Sequence, residues 1–82
     1  MPKADVTLDT LGLFCPIPII NTSKKIRELT VGEVLEVLSS DEGIKKDMPA
    51  WCETTGHEFV GVEDDTINYQ PAYRAFVRKR KS

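Results

Sequence analysis

The spacing of apolar and polar residues changes several times along the chain, and each change predicts an element. Val6-Thr7-Leu8-Asp9 alternates with period two, which predicts a short strand with Val6 and Leu8 facing inward. From about residue 16 to residue 29 the period lengthens. Ile19, Thr22, Ser23, Ile26 and Leu29 fall three and four apart, so one stripe of a helix packs on a sheet, and Gly32 stands where a stop is expected. Val34-Leu35-Glu36-Val37-Leu38 reads as a second strand with Leu35 and Val37 on the inward face. A strand, a helix and a strand in this order imply a right-handed crossover between parallel neighbours.

Ser39, Ser40, Asp41 and Glu42 offer capping oxygens for a second helix over about residues 43–55, with Ile44, Met48, Trp51 and Cys52 on one face. Pro49 interrupts it, and the expectation is a broken helix with Asp47 as a fresh cap. Gly56 supplies the stop, and His57 follows. Residues 59–63 and 73–78 alternate as two further strands, joined by an acidic, turn-prone segment over residues 64–71. The order β-α-β-α-β-β predicts an α/β (α+β) two-layer sandwich, a four-stranded mixed sheet with two helices on one face.

Length limits the chemistry. Residues 1–82 are expected to form a single domain, and one this small buries only about 60% of the surface its unfolded chain exposes. No room is left for a large substrate cavity, so chemistry belongs on the surface or between this chain and a partner. The net charge of −2 hides an asymmetry: five basic and no acidic side chains follow residue 73, and all thirteen acidic ones precede it. Two cysteines 37 positions apart make neither a disulfide scaffold nor a CxxC redox pair. No apolar run approaches the length of a membrane span, and Met1 to Asp5 lacks an apolar signal core. The expectation is a soluble cytoplasmic protein with reduced thiols.

Within this frame one stretch carries chemistry: Gly12-Leu13-Phe14-Cys15-Pro16-Ile17-Pro18. Proline restricts the residue before it to extended angles, which suit a helix N-cap, and proline is itself well tolerated at the first helical position. Cys15 therefore reads as the cap, Pro16 as the helix start and Pro18 as a residue of the same first turn. With Pro18 lacking an N–H, Ile17 N–H is left as the main backbone donor to the sulfur. A helix N-terminus favours an anion by about 0.3–1 kcal/mol, less than one pKa unit, so the Cys15 thiol is expected to be only modestly acidified. The pattern is equally that of a small buried apolar cysteine, and spacing alone leaves both open.

The residues together resemble the TusA family of small sulfur-carrier proteins, with its SirA-like and YedF-like branches. The resemblance rests on Leu8-Asp9 leading to Gly12-Leu13 and the CPxP motif Cys15-Pro16-Ile17-Pro18, on Gly32-Glu33-Val34-Leu35, on Lys46-Asp47-Met48-Pro49, on Gly56-His57 and on a final strand ending in basic residues. It implies that Cys15 accepts a sulfane sulfur as a persulfide and passes it on, a sulfurtransferase-type activity within a protein relay. The implied donor is a cysteine desulfurase or rhodanese-type protein, and the implied recipient is a downstream acceptor protein. In TusA the onward route leads to 2-thiouridine in transfer RNA, whereas other branches are linked to different sulfur or selenium pathways. Neither a cofactor nor a metal is expected, and the family does not require a cysteine at the position of Cys52.

Two other classes compete. A small RNA- or protein-binding regulatory module would use Arg74, Arg78, Lys79, Arg80 and Lys81 of the basic C-terminal strand, although the acidic remainder argues against direct nucleic-acid binding and for a solvated strand end. A thiol-disulfide switch would need Cys15 and Cys52 within about 7 Å between Cα atoms. A zinc site from Cys15, Cys52 and His57 has no finger spacing, and His57 reads as a capping or surface residue rather than a base.

Overall fold

The computed structural model describes residues 4–14 and 17–81. Its elements are β1 (Val6–Thr10), α1 (Ile17–Ile26), β2 (Val34–Ser39), α2 (Ile44–Thr55), β3 (Glu58–Ile67) and β4 (Gln70–Arg78). They form one mixed sheet in the order β1-β2-β4-β3, with β1 and β2 parallel and the other pairs antiparallel. Successive side chains on a strand point to opposite faces, and the inward set is the one expected. Leu35, Val37, Ala75 and Val77 are fully buried against Ile26 and Leu29 from the first helical segment and Ile44, Met48 and Cys52 from the second, with Val6 and Leu8 packed alongside. Both helices therefore cover one face, and the predicted two-layer architecture stands.

The opposite face mixes apolar side chains such as Val34 and Leu38 with a polar chain of contacts. Thr7 donates to Glu36 at 3.0 Å, Arg74 Nη1 donates to the same carboxylate at 3.0 Å, and Arg74 Nε reaches Asp65 at 2.5 Å. That chain of contacts crosses all four strands. Phe76 lies on this face too, opposite Glu36 and Gly61, and is nonetheless buried.

Three expectations are corrected. The first concerns α2, which is one continuous helix with Pro49 inside it, and Asp47 does not restart it. An interior proline costs about 3 kcal/mol, whereas burying a side chain such as Ile44 or Met48 contributes about 1.5–3 kcal/mol each. Ile44, Met48 and Cys52 form one buried stripe that only an unbroken helix can present, so burial outweighs the lost hydrogen bond. No side chain caps Gly43, whose N–H instead takes Asp41 Oδ1 at 2.9 Å.

The second concerns residues 64–71, which are mostly strand. β3 and β4 continue to a two-residue turn at Asn68 and Tyr69, both at positive φ (54° and 64°), the geometry of a type I′ hairpin. Acidic residues are tolerated there because Asp65 meets Arg74 and Asp64 meets Lys45 Nζ at 2.8 Å. Pro71 sits beyond the last rung shared with β2, where no second partner asks for its N–H.

The third is the end of α1, three residues short of Leu29. Glu28 N–H and Leu29 N–H bond to the carbonyls three residues back, tightening the final turn, and Leu29 stays buried. Lys79, nearly buried, points its ammonium at the freed carbonyls of Leu29 (2.5 Å) and Arg27 (3.5 Å).

Candidate functional site

The loop after β1 leaves the sheet at the carboxyl ends of the two parallel strands, where open α/β sheets present their sites. It is pinned at several points. Thr10 is buried and its hydroxyl donates to Leu38 C=O. Leu11 N–H takes Asp9 Oδ1 at 2.9 Å, Leu13 N–H takes Thr10 C=O at 3.1 Å, and Gly12 N–H takes Ser40 Oγ at 2.9 Å. Gly12 has φ of 82°, a left-handed conformation that a side chain would strain, so the turn requires glycine.

Cys15 and Pro16 lie outside the described residues, and their predicted roles as cap and helix start are not described. Of the other predicted site residues, Gly12 forms the turn, while Ile17 and Pro18 open the helix. Pro18 is fully buried and its carbonyl accepts Thr22 Oγ1 at 2.7 Å, which fixes the first turn to the core side. Ile17 N–H, expected to serve the sulfur, donates to Phe14 C=O at 2.9 Å. That donor is already engaged, and neither flanking proline has an N–H to replace it.

Sequence reasoning missed the surroundings of the motif. Leu13, Phe14, Ile17 and Ile20 are 36%, 71%, 41% and 44% exposed, an uncharged apolar collar on both sides of the cysteine position. The signal was available, because no charged residue occurs between Asp9 and Lys24, but helical spacing directed attention to the buried stripe. Beside the loop, a hollow of about 240 Å³ runs from Leu11 and Gly12 to Ile67, Asn68 and Gln70 at the hairpin tip. Tyr69 stands fully exposed next to it.

The remaining candidates are placed elsewhere. Cys52 is buried under α2, in the packing role its spacing predicts, and burial pushes its thiol up to about 11. His57 stacks on Trp51 at 5.4 Å between ring centroids and accepts Arg80 N–H on Nδ1 at 3.1 Å. Burial, then the nearby Lys79 and Lys81 ammoniums, hold its imidazole below the usual range, so it is neutral at pH 7. The basic C-terminal residues are largely committed. Arg74 is tied to Glu36 and Asp65, Lys79 to helix carbonyls, and Arg78 and Arg80 approach Glu58 Oε1 at 3.5 and 2.7 Å. The Glu58 contacts are ion pairs by distance without hydrogen-bond alignment.

A four-stranded mixed sheet carries two helices on one face, with an uncharged pinned loop opening the first of them, and this arrangement by itself defines a fold class and not an activity. Comparison with known proteins makes the assignment specific: the family described as Sulfurtransferase TusA matches residues 6–79, and the chain belongs to that family. A general sulfur-carrier role accompanies this membership. YrkF of Bacillus subtilis (strain 168) is 48% identical over 63 residues, 77% of this chain, which spans only 34% of YrkF. Sulfur carrier protein TusA of Pseudomonas entomophila (strain L48) is 40% identical over 65 residues, covering 79% of this chain and 81% of that protein. Among solved structures, the SirA-like protein from Desulfitobacterium hafniense superposes with a TM-score of 0.66 at 26% identity, over 92% of this chain and 99% of that one.

Proposed function

We propose that Cys15 accepts a sulfane sulfur from a cysteine desulfurase or rhodanese-type donor and hands it to a downstream acceptor protein in the cytoplasm. The Cys15 thiolate attacks the outer sulfur of the donor's persulfide. A new S–S bond forms on Cys15, the donor's S–S bond breaks, and the donor departs as a thiolate, so no outside oxidant or reductant is needed. The second transfer repeats the exchange with Cys15 as the leaving thiolate.

The observation that supports this reading best is the apolar collar on a pinned loop. A relay must meet two partners in turn, and an exposed uncharged rim on a stiff turn gives each the same surface to bury. Ile17 N–H is engaged by Phe14 C=O and is not a spare backbone donor for a thiolate. The rate of exchange then follows the thiolate fraction of Cys15 and its access to the partner. Delivery toward 2-thiouridine in transfer RNA or toward another sulfur or selenium pathway follows from which acceptor fits the rim.

The test is to incubate the protein with a cysteine desulfurase, pyridoxal phosphate and cysteine, and weigh the intact chain. The expected result is a gain of one sulfur, lost in Cys15→Ser and kept in Cys52→Ser. Loading that persists in Cys15→Ser overturns the proposal.

A further inference from the structure

A larger hollow, of about 370 Å³, lies at the end of the molecule away from the motif loop, where α1 and α2 both finish. Arg27, Lys79, Lys81 and His57 are among its lining residues, and Trp51 and Ile26 supply apolar wall. No carboxylate is among its lining residues, although acidic side chains outnumber basic ones in the chain. Among the described residues neither Arg27 nor Lys81 has an acidic partner, whereas Arg74 has two and Arg78 and Arg80 share Glu58.

The sign of the local potential follows from a count. Two helix C-termini contribute about −0.5 charge each, against three full positive charges. Lys79 is already spent on the last carbonyls of the first helical segment. Lys81 lies over Gly56, its Nζ within 2.8 Å of where a Cβ would be, so a side chain at that left-handed position would displace it. Even with both lysines set against the helix ends, the hollow keeps an excess of about two positive charges. Burial first, and then the Lys79 and Lys81 charges, hold the His57 imidazole below its usual range.

From this arrangement we infer that the hollow between the helix C-termini binds a phosphate group, with Arg27 and Lys81, neither of them paired to a carboxylate, as its cationic contacts and Trp51 as the wall for whatever the phosphate carries. Its volume falls within the 300–1,000 Å³ range of small-molecule sites, leaving room for an organic group beside the anion. The site stands at the other end of α1 from the motif loop and depends on no sulfur chemistry.

The experiment is an NMR titration of the full chain at fixed pH and matched ionic strength with inorganic phosphate, AMP, adenosine or sodium chloride. The Trp51 indole N–H and the Arg27, Thr55 and Lys81 amides are followed. Saturable shifts with phosphate or AMP, absent with adenosine and chloride, are expected. Equal affinities assign the site to free phosphate, and a tighter AMP assigns it to an organic phosphate. Arg27→Glu and Lys81→Glu, both exposed and with thermal melts checked against wild type, should each weaken binding by about tenfold or more. Bound phosphate should also raise the His57 pKa, because a nearby anion favours the imidazolium. Absence of saturable shifts, or shifts that survive both charge reversals, overturns the inference. Neither result bears on sulfur loading at Cys15.

Discussion

Phe14 and Cys52 carry opposite risks for a protein of this kind. Phe14 is 71% exposed and makes little of the core, so Phe14→Asp should change stability by no more than about 0.5 kcal/mol. Its loss from the collar should still slow sulfur acceptance from the donor by about tenfold, the scale of one interface anchor worth about 1.4 kcal/mol. Paired urea melts and loading time courses check both halves, and a normal rate would remove the collar from the docking surface. For Cys52, a pKa of about 11 leaves about one thiol in a thousand ionised at pH 8, and its sulfur is buried as well. Iodoacetamide at that pH should therefore leave native Cys52 unmodified, and alkylate it only after denaturant is added. Peptide mapping of the native protein reads this directly.

Among the elements, legibility tracked local signals. The three periodic segments that β1, α1 and β2 became were plain in the chain, because alternation and three-four spacing come straight from backbone geometry. The unbroken α2 was not, since a proline is a local signal whereas the burial of Ile44, Met48 and Cys52 is a property of the assembled core. The extent of the hairpin was hidden for a related reason: Asp64, Asp65 and Pro71 look like turn residues until Lys45, Arg74 and the free side of the strand are in place. At the site, Gly12 and the cysteine directly ahead of two closely spaced prolines were visible as a motif. The engagement of Ile17 N–H by Phe14 was invisible, because nothing in residue identity says which acceptor a backbone donor will find.

Two substitutions probe the elements. Pro49→Ala should stabilise the protein by about 2–2.5 kcal/mol in urea denaturation, the roughly 3 kcal/mol cost of an interior proline less the roughly 0.4–1 kcal/mol of entropy proline removes from the unfolded chain. Lys79→Met should destabilise it by about 1–3 kcal/mol, as the Leu29 carbonyl loses its buried donor, while exposed Lys81→Met should stay within about 0.5 kcal/mol.

For the molecule as a whole, two depressed or elevated groups set a stability window in pH. His57 has a folded-state pKa below its unfolded value of 6.5, so the unfolded chain binds the proton first as pH falls. Its contribution is present above that value and lost on acidification through the folded pKa. Cys52 works in reverse: its thiol ionises near 9 unfolded and about 11 folded, so stability present below pH 9 declines as pH rises toward 11. Urea midpoints across this range should fall at both ends. His57→Gln should flatten the acid limb and Cys52→Ala the alkaline one, and an unchanged acid limb in His57→Gln would assign it to carboxylates such as Asp65.

Trp51 is the sole tryptophan, and its indole N–H bonds Ser23 Oγ at 2.9 Å across the seam between the two helices while its ring rests on the His57 imidazole. The chain thus carries a built-in optical gauge of that seam. Its emission should redden when the helices part and dim when the imidazole beneath it gains a proton, so folding and titration can be followed in unlabelled material from a single wavelength scan.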